Sequence, residues 1–218
     1  MNAAKASWTR FFDPLLDWAY PRRCALCAAL GDLSICEGCL GEFSPNPVAL
    51  DPSEPLRWQF SVYRYESRVA QAVRRLKYSG ATALARPLAS TLADSVQAHG
   101  LLEEGIVIVP VPIHWTRRAL RGFNQAAVLC EKLPTSLVRR DLLRRVRPTR
   151  PQAGLSPSER QRNLEHAFGA SPKAQGLRVL LVDDVITTGH TVHECAKALL
   201  AQGAESVAAL ALAGNATP

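Results

Sequence analysis

Two kinds of apolar run alternate along this chain, and their order predicts the fold. GIVIVPVP (Gly105–Pro112), LRVLLVDDV (Leu177–Val185) and SVAALALAG (Ser206–Gly214) are short and apolar without alternation, the pattern of strands buried on both faces. RWQFSVYRYES (Arg57–Ser67) alternates aromatic and β-branched residues with polar ones and also predicts a strand. Between these lie helical patterns: VAQAVRRLKYSG, closed by Gly80; ALARPLASTLADSVQA; TRRALRGFNQAAVLCEKL, interrupted near Gly122; and TVHECAKALLAQG. LVRRDLLRRVRPTRPQAGLSPSERQRNLEHAF is mixed: a basic extended start, a proline-rich loop, then a helix from about Pro157. Strands alternating with helices predict an α/β domain with a parallel sheet flanked by helices.

Ahead of this domain the pattern changes. Trp8, Phe11, Phe12, Leu15 and Leu16 fall on one helical stripe, expected to pack on neighbouring structure. CALCAALGDLSICEGC follows, with Cys24, Cys27, Cys36 and Cys39 in two C-x-x-C pairs. Each pair can turn back as a knuckle so that four thiolates converge on one tetrahedral centre, which suits zinc in a reducing compartment. An iron–sulfur centre and a redox dithiol are the competing uses, although a dithiol needs only one pair. So small a module has too few apolar residues to fold without its metal. Pro45, Pro47, Pro52 and Pro55 then punctuate a stretch of little periodicity, expected as a linker. The predicted division is residues 1–44 (helix and cysteine module), 45–57 (linker) and 58–218 (main domain). Cys130 and Cys195 sit singly in helical patterns and are expected as small core residues.

Composition narrows the class. With 47% hydrophobic and 21% charged residues the chain is globular rather than disordered. Lysine and arginine total 26 against 19 acids, a net charge of +7, which favours anionic partners. No apolar run approaches the roughly 20 residues that span a bilayer. WTRFFDPLLDWAYP is broken by Asp13 and Asp17 and lacks a small-residue cleavage site, so a cytoplasmic location is expected.

The densest chemistry lies in VLLVDDVITTGHT (Val179–Thr191). Paired acids end a buried strand, and small hydroxyl-bearing residues open the next helix. In sheets of this kind ligands bind at the carboxyl ends of strands. The main-chain N–H groups of the turn and the helix N-terminus can cradle a phosphate, with Gly189 letting the backbone close around it. Asp183 and Asp184, one step back, are placed to accept hydrogen bonds from hydroxyls, and a phosphorylated sugar supplies both groups.

LLVDDVITTGHT closely resembles the phosphoribosyl pyrophosphate (PRPP) motif of type I phosphoribosyltransferases. The four-cysteine module, VPVP, RALRGFNQA, Q-x-x-L with RQRN and AF, and then this motif resemble the ComF family of competence-related, phosphoribosyltransferase-like proteins over nearly the full length. The resemblance implies a type I phosphoribosyltransferase-like fold. It also implies that Asp183 and Asp184 bind the ribose hydroxyls and act in catalysis, while Thr187, Thr188, Gly189, His190 and Thr191 form the 5′-phosphate loop. His190 is expected as a spacer with its ring in solvent. VPVP takes the place of the pyrophosphate loop, giving Val111 a part in it, and Arg117, Arg118 and Arg121 just beyond can bind pyrophosphate oxygens. Asn124 and Gln125 either fix this loop or cap a broken helix. Lys77 is expected on the surface, with reach to the ligand as the alternative, and both acids are expected to be exposed.

The implied function is PRPP and magnesium binding by a protein that handles incoming single-stranded DNA, together with other DNA-uptake proteins. A metabolic phosphoribosyltransferase and a non-catalytic PRPP sensor are the alternatives. Between Arg117 and Arg150 ten basic side chains meet only two acids, Glu131 and Asp141. Within that run Arg139, Arg140, Arg144 and Arg145 are expected to form a single-stranded DNA track.

Overall fold

The computed structural model describes residues 22–46, 51–78, 82–148 and 164–215. The Trp8–Leu16 stripe, Gly80, Arg150, the Q-x-x-L and RQRN pieces and the helix expected from about Pro157 lie outside the described residues. In chain order the elements are α1 (Glu37–Gly41), β1 (Asp51–Ser53), β2 (Leu56–Arg64), α2 (Ser67–Tyr78), α3 (Ala85–Ala98), β3 (Ile106–Pro110), α4 (Trp115–Arg121), α5 (Gln125–Leu129), β4 (Leu143–Arg145), β5 (Phe168–Ala170), β6 (Arg178–Ile186), α6 (His190–Ala201) and β7 (Ser206–Gly214). The main sheet has the order β1-β2-β7-β6-β3; β2, β7, β6 and β3 run parallel, and β1 is an antiparallel edge. β4 and β5 form a separate antiparallel pair. Part of the proline-punctuated stretch expected as linker therefore carries structure: it supplies β1 and the start of β2.

Strand parity sorts the apolar residues into two cores, one on each face of the sheet. Leu180 and Val182 of β6, Leu210 and Leu212 of β7, and Ile106 and Ile108 of β3 enter one core. Their alternates Val179 and Leu181, Ala209 and Ala211, and Val109 enter the other. The first core is covered by α2, whose Val69, Ala72, Val73 and Leu76 recur at helical spacing, and by α3 through Leu88, Leu92 and Val96. The second is covered by α6, through Val192, Cys195, Ala196 and Leu199, and by Leu143 and Phe168 of the β4–β5 pair. Leu76, Leu88 and Leu92 are fully buried, so truncating any one to alanine costs about 3 kcal/mol. Cys130 and Cys195 are buried core residues, as expected.

The cysteine module is not a detached appendage. Cys24, Leu26, Ile35, Cys39 and Phe43 belong to the same core as α2 and α3. Polar contacts from α2 reinforce the junction: Arg75 donates to Ala25 O, Gln71 Nε2 to Leu26 O at 3.5 Å, and Arg68 Nε pairs with Glu42 at 3.0 Å.

Candidate functional site

The paired acids stand near the carboxyl end of β6, and the period of the strand sends them to opposite faces. Asp184 shares the parity of Leu180 and Val182 and faces α2; it is 6% exposed. There its Oδ2 meets Lys77 Nζ at 3.0 Å. Lys77 was expected on the surface, but its side chain is only 22% exposed. Burial opposes the lysine's charge, yet Asp184 and then Asp183 outweigh it and raise its pKa. Asp183 shares the parity of Val179 and Leu181 and is partly buried, with its Oδ1 accepting from the Asp184 amide at 2.8 Å. Burial and the adjacent Asp184 carboxylate push its pKa up to about 7, against the pull of Lys77, that amide and Arg145. The expectation that both acids are exposed is thus corrected. α2 covers Asp184, whereas Asp183 keeps part of its surface at the cup.

Beyond the acids, Thr187–Val192 curve into a shallow cup with Asp183, Val185 and Ile186 in its wall. Gly189 makes the curve possible. Its φ is 73°, and a Cβ there would lie 3.1 Å from the His193 ring, so the position needs glycine for both backbone and space. Thr187 and Thr188 are exposed, and α6 opens at His190 with its N-terminal amides turned to the cup. His190 is not a bare spacer: it is partly buried, and its Nδ1 lies 3.0 Å from Thr188 Oγ1. These residues and Asp183 line one continuous cup, with Asp184 next along the strand.

The turn after β3 is built by RGFNQA. Gly122 ends α4 in the left-handed region at φ 80°, its amide donating to Arg118 O at 2.8 Å. Asn124 then starts α5: Oδ1 accepts from the Ala126 amide at 3.1 Å, while Nδ2 donates to Val111 O at 3.0 Å. It both caps the helix and fixes the loop. Val111 is buried, and its amide donates to Val182 O at 2.8 Å, so both of its main-chain groups are committed to the scaffold. This corrects its place among the ligand donors. Gln125 is buried and accepts from Arg121 at 3.2 Å. Arg118 is exposed; Arg117 is partly buried and held below the usual arginine range by burial and by Arg121. Arg121 lies over the Tyr78 ring at 4.9 Å, which ties this turn to the end of α2 beside Lys77.

The four arginines expected as a DNA track divide. Arg139 is engaged with Asp141 through two bonds of 2.9 and 3.0 Å, and Lys173 joins the same carboxylate at 3.3 Å. Arg140 and Arg144 are exposed. Arg145 turns inward, its guanidinium 5.1 Å from the Phe168 ring centroid. Alternation along β4 separates Arg144 from Arg145, and run-counting in the sequence misses that. A roomier concavity of about 620 Å³ lies elsewhere, between α3 and Lys132–Pro134, but Asp94 and Lys132 are its only charged lining residues.

In the N-terminal module the four sulfurs of Cys24, Cys27, Cys36 and Cys39 lie within 4.8 Å of one another, with Cys27 and Cys36 at 3.6 Å. Tetrahedral thiolates on a zinc at ~2.3 Å would stand ~3.8 Å apart, so the cluster has the spacing of a zinc site. None of the four is in a disulfide. The Leu26 and Cys36 amides both donate to Cys24 Sγ at 3.4 Å; with that of Cys27 they outweigh burial and favour its thiolate.

A parallel sheet flanked by helices, a strand-end acid pair and a phosphate-type cup define a type I phosphoribosyltransferase-like protein. The family profile described as phosphoribosyl transferase domain matches residues 121–217. The DNA utilization protein YhgH of Salmonella typhimurium is 37% identical over 84% of this chain and 86% of its own length. Competence protein F of Haemophilus influenzae is 39% identical over 60% of this chain and 59% of its own. Competence protein ComFC of Bacillus subtilis is 30% identical over 72% and 64%. The chain belongs to the ComF family. No helix among the described residues is long and apolar enough to cross a membrane.

Proposed function

We propose that this protein binds PRPP together with magnesium and serves DNA uptake or utilisation in the cytoplasm. The observation that carries the reading is the cup that Asp183 and the glycine-shaped N-terminus of α6 line together, with Asp184 next along the strand. Thr187–Thr191 receive the 5′-phosphate, the two acids accept the ribose 2′- and 3′-hydroxyls, and Arg117, Arg118 and Arg121 face the diphosphate end. Lys77 holds Asp184 in place and balances its charge. Magnesium would be held with the ligand beside the Asp183 and Asp184 carboxylates and would supply positive charge that screens the leaving group. The chemistry open to such a site is displacement of pyrophosphate at the anomeric carbon: the bond from C1′ to the diphosphate oxygen breaks, its electron pair leaves with pyrophosphate, and a nucleophile bonds to C1′. The chain's part is to position the sugar and to oppose the charge of the leaving group.

The N-terminal module, residues 1–44, holds a structural zinc on its four cysteines, and residues 58–218 carry the PRPP site. The relatives' names speak of DNA utilisation and competence, and that role is extended here to single-stranded DNA and to other DNA-uptake proteins. Support for a single strand comes from the exposed rings of Trp115 (71%) and Tyr78 (73%), which flank Arg118 and Arg121. Stacking rings interleaved with cations suit a sequence-independent strand. Arg140 and Arg144 extend the basic surface, and Arg139 belongs to it only as a partly neutralised member.

Thermal unfolding with PRPP and magnesium tests the ligand. At a hundredfold excess over Kd the ligand should add about 2.7 kcal/mol, a rise in Tm of about 5–10 °C. Asp183→Asn with Asp184→Asn should abolish the rise. A double variant stabilised as well as wild type would show the site to be misplaced.

A further inference from the structure

The β4–β5 pair contributes a cation that the PRPP motif does not contain. Leu143 and Arg145 share one face of β4, and Leu143 belongs to the core under α6. Arg145 is the ladder partner of Phe168, and its guanidinium lies over that ring at 5.1 Å. Phe168 is itself only 7% exposed, so the platform is fixed. The pair is closely packed: a Cβ on Gly169 would come within 3.1 Å of Val146 Cγ1. This face of the sheet is also the one to which parity sends Asp183. Arg145 is within electrostatic reach of both Asp183 and Arg117, which the proposed site assigns to its ribose and diphosphate ends.

Its chemistry there is specific. A guanidinium offers a planar fork of N–H donors that matches two phosphate oxygens at once. Burial and then the charge of Arg117 hold its pKa down to about 10. Asp183 offsets one of these two cations. A multiply charged anion lying between Arg117 and Arg145 would offset both, and the diphosphate of PRPP is the group of that charge at that end of the site.

We infer that Arg145, seated on Phe168, is a diphosphate-binding residue of the PRPP site rather than part of a DNA track. The inference rests on the PRPP reading above. A purely structural role, in which Arg145 only balances Asp183, makes a different forecast for ligand binding.

Calorimetric titration of the full, metal-loaded chain separates these roles, with magnesium pyrophosphate and ribose 5-phosphate as probes and ligand-free unfolding measured alongside. Charged hydrogen bonds of about 1.5–3 kcal/mol correspond to roughly 10- to 100-fold in affinity. Arg145→Ala should weaken pyrophosphate binding by that factor and leave ribose 5-phosphate within about twofold. Arg145→Lys keeps the charge without the planar fork and should still lose about tenfold; it decides the matter if the alanine variant does not fold. Phe168→Leu, which removes the platform and keeps an apolar core residue, should weaken pyrophosphate in the same sense. Wild-type pyrophosphate affinity in Arg145→Lys or Arg145→Ala, or equal losses for both probes, would overturn the inference. So would weaker binding of an oligothymidylate with pyrophosphate binding intact, because that result returns Arg145 to the DNA surface. If wild type binds neither PRPP nor pyrophosphate, the PRPP reading itself falls, and that outcome is distinct from a defect confined to Arg145.

Discussion

Asp183 and Asp184 are chemically identical neighbours made different by one step of strand parity. Asp184 lies against Lys77 at 3.0 Å, whereas Asp183 carries the burden of burial and of its neighbour's charge. Burial first and then Asp184, set against Lys77, the Asp184 amide and Arg145, leave the Asp183 pKa at about 7, raised from 3.8. Between those values the folded protein keeps a proton that the unfolded chain has released. The unfolded state then binds fewer protons, so this group makes stability fall as pH rises from about 4 to about 7. Above that window the loss is complete. Urea unfolding of ligand-free protein from pH 4.5 to 8 should show the decline, and Asp183→Asn should flatten it. Parallel curves for the two proteins would mean that burial does not govern this carboxyl. Affinity for PRPP should change in the opposite direction, rising through neutrality as the carboxylate that receives the ribose hydroxyls ionises.

Among the elements, the break between α4 and α5 determines where the arginines sit. Gly122 stops one helix, and Asn124 starts the next while holding Val111 O, so a five-residue helix and a seven-residue helix replace one long one. Asn124→Ala removes the cap, worth about 1 kcal/mol, and the bond to Val111, worth about 1 kcal/mol more. Asn124→Asp keeps the cap acceptor and loses only the Nδ2 donor, so it should cost about half as much. Urea midpoints of the two variants check the split, and equal losses would assign the whole effect to the bond to Val111.

For the molecule as a whole, the cysteine module and the sheet share one core. Leu26, Ile35 and Phe43 are buried with α2 and α3, and each contributes about 1.5–3 kcal/mol by its burial. Stripping the metal with a chelator and a thiol reagent should therefore destabilise the whole protein and lower Tm by about 10 °C, in a single transition. Cys39→Ser should act in the same direction. An unchanged unfolding midpoint after metal removal would show that the module folds without it. Because α2 contacts the cysteine module at Arg68, Gln71 and Arg75 and carries Lys77 in its last turn, it links that module directly to Asp184.

Periodicity along the chain determined most of the elements: β2, β3, β6 and β7, the helices beside them, and the interruption at Gly122 all follow from local pattern and backbone chemistry. So did the four-cysteine cluster and the strand-end acids, because their spacing in sequence is their spacing in space. Tertiary structure decided what depends on the far side of a contact. Lys77 looked like a surface lysine because nothing in LKYSG reports that Asp184 lies across from it. Arg145 looked like a member of a basic run because charge counts carry no parity, and its Phe168 platform lies 23 residues further along the chain. β1 was hidden among prolines, since an edge strand needs only one neighbour and little apolar pattern of its own. The acids looked exposed because a strand end is usually open. Here α2 covers Asp184 on one face, Asp183 on the other keeps only part of its surface at the cup, and burial then shifts a carboxyl toward neutrality.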